Sequence, residues 1–447
     1  MKKSSNYLKE VKKQYEDYPY PQRNPNDEKK RLLSYEHEHI NLINHYCFNG
    51  EIPLHVKGNG ETFRILIAGG GTGDAAIYFA EVLHDLNVEI VYIDMSKSSM
   101  KIAKERANIR QLKNIKWINN SLLEISNIGI GEFDYINCSG VLHHLESPTD
   151  GLNALKSVLK DNGAMGIMVY AKYGRTGVYQ MQELMRKINL HEENFQTQVD
   201  NTKTVLSALP TTNWFQRDKE SFALDTNNDN GIYDLLLHSQ DRAYTVPELY
   251  DWVENKCKLN IIEFTGYGVE SKMGYNPKVY IKDSILLSKI NTFSIIEQKS
   301  ISELLSGNIK KHTFFISKHD LTKTIASIKN TDLIPYFNTL EINGKEVADI
   351  IESQPGLSIN FNIANLGSLN LNPTKYTKEI FRLLDGKRSI KEIFEKIEAG
   401  FDELLHEFEN IFNQLFDLNI ILLKSKSTPR IKTLTEAQNR IKKIYNI

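Results

Sequence analysis

The chain has 447 residues, with 55 Lys+Arg against 56 Asp+Glu, 12 His, 3 Cys and 40% hydrophobic residues. That length builds two to three domains with a sizeable core, and a formal charge of −1 supplies no chain-wide attraction for a polyanion, which argues against a dedicated nucleic-acid binder. Cys47, Cys138 and Cys257 are odd in number, far apart and in no zinc-binding spacing, so a disulfide framework is excluded and a reducing, cytoplasmic setting is expected.

The start MKKSSNYLKEVKKQYEDYPYP is charged with no apolar run behind it, and no later stretch reaches bilayer length, so neither a leader peptide nor a membrane partner is expected. Residues 1–60 read as an arm or lid: a charged helical stretch, the aromatic and proline-rich Tyr15-Glu-Asp-Tyr-Pro-Tyr-Pro21, and a second helix to about Cys47. Within it Glu36-His-Glu-His39 looks metal-like, but neighbours two apart on a helix point to different faces. A solvated surface is therefore the expectation and no metal is assigned; His37 and His45 share a face without an acid pair to complete a site.

From Phe63 short apolar runs alternate with amphipathic segments. FRILIA, VEIVYID, IKWIN, FDYINCS and AMGIMVY predict strands, with helices at about Asp74–Leu86, Ser96–Gln111 and Thr149–Lys160, the pattern of a doubly wound α/β sheet. After Tyr170 a polar, Asn/Asp/Thr-rich insertion, about 172–241, forms no single regular element. Periodicity returns in YTVPELYDWVENKC, where Thr245, Pro247 and Glu248 make a helix start. The strand LNIIEFTGYG, a helix at about Ile296–Leu305 and the strand KHTFFISK follow, closing a seven-stranded domain over 61–320.

Residues 330–447 form a smaller α+β unit: strands SINFNI and LGSLNLN, helices TKEIFRLLDG, SIKEIFEKIE and FDELLHEFENIFNQLFDLN, and a returning strand NIILLKSK suggest a winged-helix-like module. Lys387, Arg388 and Lys391 are balanced by Asp385, Glu392 and Glu395, so no DNA-reading helix is expected, and the module is assigned a protein partner or a second subunit. The tail Lys424–Lys443 carries seven Lys/Arg against Glu436. It reads as a solvated helix, with RNA or acidic-protein contact as the lesser alternative.

The strongest chemical signal is Ile65-Leu-Ile-Ala-Gly-Gly-Gly-Thr-Gly-Asp74, a glycine-rich turn between a predicted strand and a predicted helix. Gly69, Gly71 and Gly73 let the backbone approach a ligand with no Cβ in the way. The next strand ends in Asp94, 21 residues beyond Gly73, where a carboxylate accepts both ribose hydroxyls, so the pair points to an adenosine-type ligand. A dinucleotide site wants glycine or alanine at position 74. The acid found there would repel a pyrophosphate at the helix start but imposes no such penalty on a sulfonium cofactor.

On these residues the segment 63–170 resembles a class I S-adenosylmethionine-dependent methyltransferase. The resemblance implies that Gly69, Gly71 and Gly73 hold the methionine part, Asp94 the ribose, Met95 the adenine face and Asn120-Ser121-Leu122 the adenine edge. Ser121 stands where the family usually has Asp. Ile67 replaces the acid often found two residues before the first glycine, which leaves the methionine amino group to Asp74 or a backbone carbonyl.

The run FDYINCSGVLHHLESP is similar to the family's methyl-transfer motif, implying that Cys138 and Ser139 lie against the cofactor. His143 and His144 are read either as a base for the acceptor or, preferably, as residues packing beneath the cofactor. Tyr15 and Tyr20 in the arm resemble aromatics that close over the donor, with a proline-rich strap as the alternative. MGIMVYAKYGRTGVYQMQELMR resembles a bacterial subgroup with a C-terminal extension, implying that Tyr170, Tyr173, Arg175 and Tyr179 face the acceptor. The methyl acceptor is expected to be a protein side chain or a small molecule, with a non-catalytic S-adenosylmethionine sensor as a third reading.

Overall fold

The computed structural model describes residues 11–338, 342–363 and 367–445. The first ten residues of the charged opening stretch and Leu366 of LGSLNLN lie outside them. The central sheet runs β3-β2-β1-β4-β5-β8-β7, from β1 (Phe63–Ala68), β2 (Val88–Asp94), β3 (Ile115–Asn119), β4 (Phe133–Ser139) and β5 (Leu159–Ala171) to β7 (Asn260–Phe264) and β8 (Lys311–Ser317). A two-residue β6 (Ala243–Tyr244) adds to β5. β1 to β5 are parallel, whereas β8 is antiparallel to both β5 and β7. All seven runs read as strands between residues 61 and 320 are in this sheet.

β1 and β2 are apolar at most positions because both faces are covered, while β3 at the edge of the sheet is at most half-buried. Ile65 and Ile67 point to one side, with Phe79, Tyr92, Ala103 and Tyr135. Leu66 and Ala68 point to the other, with Val91, Ile136, Met165 and Ile167. The first side is roofed by α1 (Ile40–Cys47), α2 (Asp74–Val82) and α3 (Lys97–Ile109), the second by α4 (Pro148–Ser157) and the helical segment Val246–Lys256. Ser96 caps α3 and Thr245 with Glu248 forms a capping box, so the chain's polar punctuation sets where these helices begin.

The insertion folds into several elements rather than one, the helices α5 (Thr176–Ile188) and α6 (Phe195–Ala208) followed by short turns. Val178, Met181, Gln182 and Met185 supply one buried stripe and Asn194 caps the second helix, a pattern diluted by the polar residues on the outer faces. Glu36–Glu38 is a 3-10 turn with His37 and Glu38 buried rather than solvated; Glu38 accepts the Tyr35 N–H at 3.0 Å.

The basic tail, read from the sequence as a solvated helix, is packed. Its helix α13 (Leu434–Tyr445) buries Ala437 and Ile441, and Arg440 grips the fully buried Glu81. In the 330–447 unit, β9 (Ile334–Phe337) pairs antiparallel with β12 (Ile421–Lys424), and β10 (Ile359–Ile363) with β11 (Gly367–Leu371). Between them, α9 (Gly344–Ser353), α10 (Thr377–Leu383), α11 (Ile390–Phe394) and α12 (Phe401–Phe416) enclose a core of Ile380, Phe381, Ile393, Phe408 and Phe412; α7 (Ser284–Ile290) and α8 (Ile295–Ser306) precede them in the chain.

This unit is fused to the sheet domain. Leu422 joins the core of the first face, His45 Nδ1 accepts the Leu423 N–H at 3.0 Å, and Tyr46 donates to Asn419 at 2.6 Å. Burial holds the His45 imidazole down to about 3, so it serves there as a neutral acceptor. Truncating fully buried Leu422 to Ala should cost about 2–5 kcal/mol by urea denaturation. A loss below about 1 kcal/mol would mean that this face is loosely packed.

Candidate active site

A cavity of about 540 Å³ opens at the carboxyl ends of the parallel strands, beside the point where strand order reverses between β1 and β4. Its floor comprises Gly69, Gly70 and Gly71 after β1, Asp94 and Met95 after β2, Asn120, Ser121 and Leu122 after β3, and Ser139 and Gly140 after β4. The glycine turn is left-handed at Gly69, Gly71 and Gly73, with φ of +71°, +51° and +103°. A Cβ on Gly73 would sit 2.7 Å from Ala103 Cβ, and one on Gly71 would sit 2.8 Å from the Tyr20 carbonyl oxygen. Gly73 therefore backs the turn rather than lining the cavity, and fully buried Cys138 lies beneath β4.

Asp94 locks two loops together, its Oδ2 accepting the Gly71 N–H at 2.8 Å and its Oδ1 the Ser96 N–H at 2.7 Å. Each oxygen keeps a further lone pair toward the cavity, the acceptor set that a pair of vicinal hydroxyls requires. Burial pushes its carboxyl up to about 6, offset in part by those two backbone donors.

The arm closes the cavity from above. After a helical stretch at 11–17, Tyr15 offers its carbonyl to Ser96 Oγ at 2.9 Å, and Glu16 accepts the Lys97 and Ser98 N–H groups, each at 2.9 Å, at the start of α3. Pro21 accepts from Thr72 Oγ1 at 2.7 Å, and Arg23 Nη2 meets Asp74 Oδ2 at 2.7 Å. Arg106 binds the other Asp74 oxygen at 2.7 Å. Burial alone would raise the Asp74 carboxyl, but the two guanidiniums hold it below its ordinary range. Asp74 is thus held by two arginines where it lines the cavity.

The far wall comes from the insertion. Tyr15 donates to Asp234 at 3.1 Å and Tyr20 to Asp225 at 2.8 Å, so the two arm phenols face two acids across the cavity. Burial, reinforced by the nearby Asp225 charge, pushes Asp234 up to about 7. Arg175 lies 3.6 Å over the Tyr170 ring and 3.6 Å from Asp241, and Tyr170 and Arg175 both line the cavity. Tyr179 does not line it but reaches Asp241 at 3.5 Å from behind, and Tyr173 is exposed outside it.

The two histidines separate. His143 is fully buried outside the cavity lining, its ring 3.9 Å from Tyr170 and neither nitrogen hydrogen-bonded. His144 lines the cavity, stacks on His238 at 3.9 Å, and binds the Gln240 carbonyl through Nδ1 at 2.9 Å, which leaves Nε2 as the acceptor. Burial lowers both, so each is a neutral imidazole at physiological pH.

His143, His144 and Asp241, and likewise His144, Asp234 and His238, bring candidate metal donors within 4.8 Å of one another. Asp241 also pairs with Arg175, Asp234 accepts from Tyr15 and His238 Nδ1 accepts the Gln240 N–H, whereas the His143 nitrogens have no hydrogen-bond partner among the described residues. Sequence reasoning missed Asp225, Asp234 and His238. They sit in short turns of the insertion, where no periodic signal singles out one acid among many.

Residues 66–165 match the model of a methyltransferase domain family. An uncharacterized protein of Synechococcus sp. is 31% identical over 262 residues, 58% of this chain and 61% of that protein. The tRNA 5-carboxymethoxyuridine methyltransferase of Escherichia coli is 29% identical over 115 residues, 26% of this chain and 42% of that enzyme. The chain thus spans less than two thirds of the curated relatives it matches. Among solved structures, PKMT2 from Rickettsia typhi in complex with AdoHcy superposes with a TM-score of 0.57 at 18% identity, covering 82% of this chain and 72% of that one, a likeness of fold.

Asp94 presents the acceptor set that vicinal hydroxyls require and its carboxyl is raised to about 6, so affinity for S-adenosylhomocysteine is expected to be full above neutrality and to fall as pH drops through about 6. Calorimetry at pH 5 to 8 reads this directly. Asp94→Ala should weaken binding about tenfold or more, a loss of at least one charge-assisted hydrogen bond, and flatten the pH dependence.

Proposed function

With residues 66–165 a class I S-adenosylmethionine-dependent methyltransferase domain whose cofactor is S-adenosylmethionine, we propose that the protein methylates a primary amine on a protein side chain. The observation that carries this reading is the wall opposite the glycine turn, where the phenols of Tyr15, Tyr20 and Tyr170 stand with the carboxyl groups of Asp225, Asp234 and Glu270, beside the cations Arg175, Lys310 and Lys311. Ring faces and carboxylates of this kind suit an ammonium group. A cavity of about 540 Å³ is the size of a single-ligand site. Beside a bound donor it admits the slender end of a side chain rather than a whole bulky molecule.

Bound S-adenosylmethionine supplies a methyl group already activated by its sulfonium. The turn Gly69–Gly71 cradles its tail, Asp94 takes the ribose hydroxyls, and Met95 with Leu122 flanks the base. An incoming ammonium has to lose a proton before its nitrogen is nucleophilic. Asp234, with its carboxyl near neutrality, accepts that proton at a carboxylate oxygen, and Tyr15 returns its hydrogen bond to the same group. His144 Nε2 is a second acceptor on the same wall. Tyr15 and Tyr20, pinned over the opening by the arm, exclude water from the site.

The test is a tritiated-methyl assay on a cell extract separated into protein, RNA and small-molecule fractions. Label in protein, recovered as a methylated amine after acid hydrolysis, is the expected result. Label confined to small molecules would replace the acceptor with a metabolite, label in RNA would overturn the amine-wall argument, and no label despite tight donor binding would leave a sensor. With an acceptor in hand, kcat/KM should rise with pH through about 7 as Asp234 ionises. Asp234→Asn should lower kcat at least about tenfold, within the usual contribution of a proton acceptor, and erase that limb.

A further inference from the structure

The buried charges behind the donor site form one alternating chain. It begins at Arg23 in the arm and passes through Asp74 at the start of α2 to Arg106 on α3, with contacts of 2.7 Å on both sides of Asp74. Arg106 and Arg110, one turn apart, clasp the carboxylate of Glu28 in the arm segment Pro25–Lys29. Arg110 extends the chain to Glu81 at 3.4 Å, and Glu81 is gripped by Arg440 from α13, with Nη2 at 2.7 Å. Arg106, Arg110, Glu28 and Glu81 are each under 4% exposed.

The last helix also touches the arm directly. Gln438 donates to the Lys29 carbonyl at 3.0 Å and accepts from Arg110 Nη2 at 3.0 Å, and Lys29 Nζ lies 4.4 Å over the Tyr445 ring. Arg110 Nη2 further holds the carbonyls of Glu28 and Arg31 at 2.9 and 2.8 Å.

A buried ion is tolerated only while its partners remain, and loss of one leaves an uncompensated charge. Without Arg440, Glu81 has Arg110 as its remaining guanidinium, and Arg110 must then divide itself between Glu81 and Glu28. Glu28 is a buried tie between the arm and α3, beside the Glu16 contacts at the start of that helix, and the arm is what carries Tyr15, Tyr20 and Arg23 over the donor. We propose that Arg440 and Gln438 of the last helix are positioning residues for the cofactor, holding the arm closed through Arg110, Glu28 and Arg106. The 330–447 unit thereby controls how long the donor or its product stays bound.

The readout is S-adenosylhomocysteine binding to the full chain, which does not depend on the identity of the acceptor and therefore stands or falls separately from the amine reading. Dissociation rates by stopped flow and affinities by calorimetry are compared for Arg440→Ala, Gln438→Ala and Arg440→Lys. The control is Lys442→Ala, an exposed charge on the same helix. Arg440→Ala should release the ligand on the order of tenfold faster, with Gln438→Ala in the same direction and smaller. Arg440→Lys, which restores the charge without the fork, should recover part of the loss.

Trypsin should cut the arm at Lys29–Arg31 faster in Arg440→Ala, with ligand slowing it less than in the parent. Dissociation and cleavage equal to the Lys442→Ala control in both Arg440→Ala and Gln438→Ala would overturn the proposal. Should Arg440→Ala not fold, an unchanged Gln438→Ala would be sufficient to overturn it.

Discussion

The carboxylate of Asp74 is the constraint around which the donor side of the molecule is arranged. It stands at the amino end of α2, where the helix dipole favours an anion, but it is also sunk beneath the arm, where an unpaired charge is not tolerated. Two arginines satisfy it from opposite directions, Arg106 from α3 and Arg23 from the arm. Satisfying one buried acid therefore fixes the crossing of the arm over the glycine turn. That crossing brings Tyr15 and Tyr20 within reach of Asp234 and Asp225. The cavity is not a pocket in the sheet domain alone. It is assembled from the sheet, the arm and the insertion, three segments that sequence order keeps far apart.

The division between what the sequence discloses and what it conceals follows the range of the interactions. The sheet was legible because β1 and β2 bury both faces and carry runs of Ile, Val and Leu, and the other strands show short apolar stretches between turn residues. The turn and Asp94 were legible because glycine freedom and strand-end position are local properties. The two arginines that hold Asp74 were not legible, since they lie 51 positions before it and 32 after it in the chain. His37 and Glu38 looked solvated because their burial comes from packing between distant segments. Arg440 looked like one charge in a basic tail, although Glu81 on the far side of the chain had been waiting for it.

The insertion shows the same limit from the chemical side. An acid in a polar, asparagine-rich stretch carries no mark distinguishing a solvated side chain from one whose carboxyl is lifted to about 7. Only enclosure makes Asp234 different from Asp229, which is ion-paired to Lys203 at the surface and held below its ordinary range. The electrostatic character of the wall is thus a property of the closed arm as much as of the residues themselves.

The close approach at Gly71 has a consequence for reading variation in proteins of this architecture. The Tyr20 carbonyl occupies the space a side chain would need there, so a residue larger than glycine would push the arm outward before it met any donor. Position 71 and the backbone course of residues 20–21 are consequently free to change only together. A chain that has lost this arm would be released from the steric part of the requirement, but the left-handed backbone at position 71, φ +51°, would still favour glycine there. Glycine at that position is thus demanded twice, once by the turn's own conformation and once by the arm that crosses it.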